Sequence, residues 1–224
     1  MNYLSHYYLF YPTEKPAFVT GLILPDLTRT AHKRFRLKVN FEELPKPFLN
    51  LEEGVDLHFK TDIIFHKAAF FKEHTAQIKK IAQLQGFEAF NKYLFFFAHL
   101  VFEMMIDKIL MQQHPKLVDA FYDCLLKADH QLIEQYLHYK NKSQYISQFN
   151  KFYTLFLEKQ FLRNYIKPQG LAQSVMRVFN HTTKLKVSPD EKQLSGFFEA
   201  TEVYLQAFVN EIFFTVQKQL NNQA

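Results

Sequence analysis

Two trios in this 224-residue sequence repeat at steps of four: His58, Asp62 and His66, then His99, Glu103 and Asp107. On a helix, steps of four rotate by about 40°, so each trio spans only about 80° of one face. Val55, Leu57, Phe59, Ile63, Ile64 and Phe65 surround the first trio. Between Leu94 and Asp107, His99, Glu103 and Asp107 are the only ionisable residues. A helix that is apolar nearly all round is buried, and its ionisable groups are buried with it. Unpaired buried charge costs several kcal/mol, so these groups need partners. Imidazoles and carboxylates are divalent-metal ligands, and a metal site is the expectation. The outer members of a trio lie about 12 Å apart along the axis, whereas metal–ligand bonds are about 2.0–2.3 Å. Either two ions are held, or one ion with an acid–base residue beside it. The competing account is a salt-linked His–carboxylate network without metal. A ferritin-like di-iron site is disfavoured, because no Glu-x-x-His pair occurs.

The elements that must position these groups read as helices. Short helices are expected over 2–9 and 14–24, the second stopped near Pro25. Residues 30–50 look irregular, with Pro45 and Pro47 marking a loop. Asn50 is the expected N-cap of a long helix over 51–82. After a break at Gln85-Gly86, a second long helix is expected over 87–112, with mirrored numbering placing His66 opposite Glu103 and Asp62 opposite Asp107. Further helical patterns cover 115–127, 129–138, 142–164, 169–184 and 189–221. No segment alternates with period two. The expected architecture is therefore all-α: one domain over 1–224, a bundle of about eight helices.

Composition narrows the function classes. Only 5 Gly and 8 Pro leave few turn positions, and the 26 Phe suit either a core or an acyl-chain groove, which periodicity does not separate. The single cysteine, Cys124, excludes an internal disulfide and reads as a buried thiol. The opening residues lack a basic n-region and a cleavage site, which predicts a cytoplasmic protein. The apolar stretch from Tyr93 to Ile106 is short of the roughly 20 residues a bilayer span needs, so no membrane span is expected. A net charge of +5 suits an acidic partner or phosphate groups. The densest basic run holds Arg29, Lys33, Arg34, Arg36 and Lys38. It reads as either a docking patch or a solvated loop, and no nucleic-acid motif accompanies it.

Four ordered segments carry a family resemblance. They are Met1-Asn2-Tyr3-Leu4-Ser5-His6, Gly21-Leu22-Ile23-Leu24-Pro25-Asp26-Leu27-Thr28-Arg29, Gly54-Val55-Asp56-Leu57-His58-Phe59-Lys60-Thr61-Asp62 and Glu103-Met104-Met105-Ile106-Asp107. Together they resemble the acyl carrier protein phosphodiesterase family, which is similar to the histidine–aspartate (HD) metal phosphohydrolases. The chain departs from that family in having Phe59 for an Arg, His66 for an Asp and Lys108 for a His.

The resemblance implies an HD-like fold and hydrolysis of the phosphopantetheine arm from holo acyl carrier protein, an acidic partner. It implies His6, Asp26, His58, Asp62 and Asp107 as the metal shell, with Glu103 and His66 as close seconds. His66 or His99 would move the proton, and Arg29 would hold a phosphate oxygen. Such ligands suit Mn, Fe, Zn or Mg, with manganese the first expectation. The competing functions are phosphohydrolysis of another phosphoester and a non-catalytic helical binding protein with a buried polar network.

Overall fold

All regular structure in the computed structural model, which describes residues 1–222 without the side chains of 88, 89 and 91, is helical. The α-helices are α1 (Tyr3–Tyr8), α2 (Pro16–Ala31), α3 (Leu49–Lys67), α4 (Ala69–Leu84), α5 (Leu94–Gln113), α6 (Leu117–Leu126), α7 (His130–Tyr139), α8 (Ile146–Lys159), α9 (Pro168–Thr183), α10 (Glu191–Gln206) and α11 (Val209–Asn221). Short 3₁₀ turns occupy Lys46–Phe48, Glu88–Tyr93, Ser143–Tyr145 and Phe161–Ile166. The all-α expectation holds, whereas the expected eight helices become eleven among the described residues.

The differences have local causes. Helix α2 does not stop at Pro25 but carries it inside, running on to Ala31. Pro25 cannot donate to the Gly21 carbonyl, yet Leu22, Ile23, Leu24 and Leu27 around it are fully buried and packing holds the helix. The long helix expected over 51–82 is broken at Ala68, which is extended (φ −63, ψ 148). The apolar pattern continues across the break, so periodicity does not register it. Phe65 packs on Phe70 and Phe71 across this bend, each 5.4 Å between ring centroids. Asn50 is not a cap but lies within α3, which the 3₁₀ turn Lys46–Phe48 leads into. The helix expected over 142–164 ends at Lys159, where Gln160 turns left-handed (φ 45). The helix expected over 189–221 divides at Ala207 and Phe208.

The residues sort into two compact units that interleave along the chain, with α1 and α3 each contributing to both. The first contains Met1–Ser5, Ile64–Pro115 and Leu162–Ala224, and the second contains His6–Ile63 and Lys116–Phe161. In the first unit, α5 packs on α4 and α9, and α10 packs on α4, α5 and α9. Its core is aromatic: Phe97 stacks on Phe197 and meets Phe179 edge-on. In the second unit, α2 packs against α6 and α8. There Glu52, fully buried on α3, accepts hydrogen bonds from Tyr136 Oη (2.5 Å), Lys140 Nζ (2.7 Å) and the Asn40 backbone (2.5 Å). Cys124 is buried, as expected. Among the described residues, no helix is long and apolar enough to cross a membrane.

Two glycines let α2 and α3 touch backbone to backbone in the second unit. A Cβ on Gly21 would lie 2.3 Å from the Leu51 carbonyl oxygen, and one on Gly54 would lie 2.3 Å from that of Phe18. No other residue type fits this approach. Asp26 follows Gly21 on α2 and His58 follows Gly54 by one turn on α3, so the crossing determines where both side chains meet.

Candidate metal centres

The ligand-type residues gather into two clusters, each lying within one unit. In the second unit, His6, Asp26 and His58 present ligand atoms that all lie within 4.8 Å of one another. His58 Nδ1 is 2.8 Å from the Leu22 carbonyl oxygen, which can only accept, so Nδ1 carries the proton. His6 Nδ1 is 3.0 Å from Thr61 Oγ1. That hydroxyl spends its own proton on the Leu57 and His58 carbonyls, so it accepts from His6. In its neutral form each ring therefore keeps an unprotonated Nε2. Outer partners of this kind orient metal-binding imidazoles and raise their basicity.

The two Nε2 lone pairs turn toward carboxylates. His6 Nε2 is 3.4 Å from Asp62 Oδ1, and His58 Nε2 is 3.9 Å from both Asp26 Oδ1 and Asp62 Oδ2. His6 Nε2 is buried and has no hydrogen-bond partner among the described residues. The rings stack with centroids 4.1 Å apart, which disfavours a second positive charge. Burial, reinforced by the neighbouring His58, lowers the His6 pKa to about 3. Neutral nitrogen lone pairs and carboxylate oxygens facing one another repel unless a cation lies between them. An ion bonded at about 2.0–2.3 Å to each bridges gaps of this size. The carboxylates are about one-third exposed, 33% for Asp26 and 31% for Asp62, so the cluster opens to solvent on their side.

In the first unit, the last turn of α3 brings His66 to His99 and Glu103 of α5. His66 Nε2 and His99 Nε2 are 3.2 Å apart, and both lie against Glu103 Oε1, at 3.1 and 3.0 Å. The expected pairing of His66 with Glu103 is thus present. The Met1 amino group is a third nitrogen on the same oxygen, at 3.0 Å. Burial opposes ionisation of Glu103, but the Met1 amino group and the two imidazoles hold its carboxyl well below the usual range. Phe71 of α4 stands edge-on to both rings, 4.8 Å from His66 and 5.0 Å from His99.

Asp107 belongs to neither constellation. Its Oδ2 accepts from Leu4 N (3.1 Å), and its Oδ1 accepts from Ser5 N (2.9 Å) and Ser5 Oγ (2.6 Å). Those bonds satisfy backbone donors in the first turn of α1. Complete burial pushes its pKa up to about 7 despite the three donors. Lys108 is 3% exposed and pairs with Glu202, so this departure from the resembled family is built into the first unit's packing. Phe59 lies edge-on to His58 at 5.4 Å. Arg29 is exposed on α2, three residues beyond Asp26. Lys33, Arg34, Arg36 and Lys38 are also exposed, while Phe35 and Leu37 between them are buried.

Thr61 and the Leu22 carbonyl, which set the two tautomers, are not among the residues that sequence spacing singles out. Thr61 carried a signal, being a hydroxyl between His58 and Asp62 on an apolar helix. The Leu22 carbonyl carried none, because every residue has one. The chain matches no protein-family model, no curated protein and no solved structure.

Proposed function

We propose that the chain is a cytoplasmic metal-dependent phosphodiester hydrolase of the acyl carrier protein phosphodiesterase kind, HD-like in fold, working at His6, Asp26, His58 and Asp62. The observation that carries this reading is the pair of stacked imidazoles whose Nδ1 atoms are engaged by Leu22 and Thr61 and whose Nε2 atoms face two carboxylates. The donor set fits a divalent cation, manganese by first expectation with Fe, Zn or Mg compatible. When bound, such an ion neutralises phosphate charge and acidifies an attacking water.

The chain's own residues do the rest. Leu22 and Thr61 hold the imidazoles in the ligand-ready tautomer, and the crossing at Gly21 and Gly54 sets their spacing. The partly exposed carboxylates would take up the proton that the attacking water gives up. Arg29 supports a phosphate oxygen from the same helix as Asp26. The exposed charges of residues 33–38, held out by buried Phe35 and Leu37, favour an acidic carrier protein as the docking partner.

Elemental analysis of the purified protein beside His58→Ala and Asp26→Ala variants tests the reading. Stoichiometric metal lost from both variants, together with turnover of holo acyl carrier protein, is the expected result. Turnover of a small chromogenic diester without turnover of the carrier protein would move the substrate to another phosphoester. Metal content that ignores both variants, even after reconstitution with Mn or Mg, leaves a binding protein with a buried polar network.

A further inference from the structure

We propose that His66, His99 and Glu103 form a second metal site, selective for a zinc-type divalent ion and separate from the His6 cluster. It does not depend on the hydrolase reading, since none of its residues enters that proposal.

The first argument is the shape of the triangle. Its edges are 3.2, 3.1 and 3.0 Å, joining His66 Nε2, His99 Nε2 and Glu103 Oε1. Bonds of about 2.0–2.1 Å to zinc set the ligand edges of a tetrahedron near 3.3 Å. The three atoms thus outline one face of a zinc coordination shell, with an ion seated slightly out of their plane. A set of two imidazoles and one carboxylate, completed by a solvent-derived ligand, is an established zinc arrangement.

The second argument is a count of protons. A carboxylate oxygen offers about two lone-pair directions. Glu103 Oε1 faces three nitrogens: His66 Nε2, His99 Nε2 and the Met1 amino group. Hydrogen bonding alone therefore oversubscribes it. The two imidazole nitrogens also stand 3.2 Å apart against that one oxygen, so a proton on each would crowd toward a single acceptor. One cation accepting a lone pair from each nitrogen removes that conflict.

Surroundings favour the same conclusion. Phe71 walls one side of both rings, lowering the local dielectric and strengthening attraction to a cation. The cluster is nonetheless partly exposed, by 31% for His66, 26% for His99 and 15% for Glu103, so an ion can reach it from solvent.

Cobalt(II), which reports tetrahedral N/O coordination through its visible bands, is the probe. Chelator-stripped protein would be titrated with Co²⁺ and then Zn²⁺, counting ions and recording the spectrum. The wild type should hold this ion with an intense tetrahedral spectrum that Zn²⁺ displaces. His99→Gln and His66→Ala should each abolish that spectrum, and His58→Ala should keep it. Glu103→Gln, which preserves shape, guards against a variant that fails to fold, with circular dichroism checked for each. A spectrum that survives His66→Ala and Glu103→Gln in folded protein already carrying His58→Ala, or a wild type that gives none, overturns the proposal. Wild-type protein that takes up this ion but none at the His6 cluster would sink the hydrolase reading and leave this site standing.

Discussion

Protonating His6 would place a charge in full burial beside the His58 ring, and the fold resists this strongly. Asp107 illustrates the opposite sense. Burial raises its pKa to about 7 from an ordinary 3.8. Between these values the folded state binds the proton and the unfolded chain does not, so the Asp107 contribution to stability falls as pH rises. The contribution is fully present below the ordinary value and is lost through about pH 7. Urea unfolding of wild type against Asp107→Asn should show the wild type's relative stability dropping by about 1.4 kcal/mol per pH unit across that window. Glu52 predicts a larger effect. Glu52→Ala leaves Lys140 and Tyr136 without their buried acceptor, and unfolding should be easier by about 3–5 kcal/mol. At this scale the residue types were legible in the sequence: His58, Asp62, His66, His99 and Glu103 all occupy ligand-like clusters. Their division into two sets was not, because a stripe on a helix does not say which neighbours complete it. Asp107 fell on the stripe yet bonds the first turn of α1, a role set by Leu4 and Ser5 more than a hundred positions away.

Among the elements, α2 and α3 carry the sharpest constraint. Gly54→Ala drives a methyl into the Phe18 carbonyl, and even with relaxation it should cost about 1–3 kcal/mol or more. The same change should weaken metal binding at His58 in equilibrium dialysis, whereas an alanine at the exposed Lys60 should leave it unaltered. Helix positions themselves were largely readable from periodicity, whereas the one cap expected, Asn50, lies inside α3, and the Asp129 side chain that caps α7 was not singled out. The misreadings came where packing overruled local grammar. Pro25 is embedded in α2, and Ala68 breaks a continuous apolar run.

At the scale of the whole molecule, charge and construction matter more than any one contact. Reversing Lys33, Arg34 and Arg36 together should slow association with an acidic carrier protein by roughly tenfold or more at low salt, and less at high salt. Stopped-flow association reads this, with turnover of a small diester as the control. If both fall together, the segment supports the fold and is not a docking surface. The net charge and the basic run were legible in the sequence, and so was the absence of strands among the described residues. The two units were not, because contacts between distant stretches decide them. Their interleaving has a consequence for how the chain is made. Translation completes every stretch of the unit holding His6, Asp26 and His58 by Phe161, while the other unit still awaits Leu162–Ala224. Domains fold as they emerge, so a ribosome-bound nascent chain already carries the finished sequence of one ligand cluster's unit while that of the other is still being written.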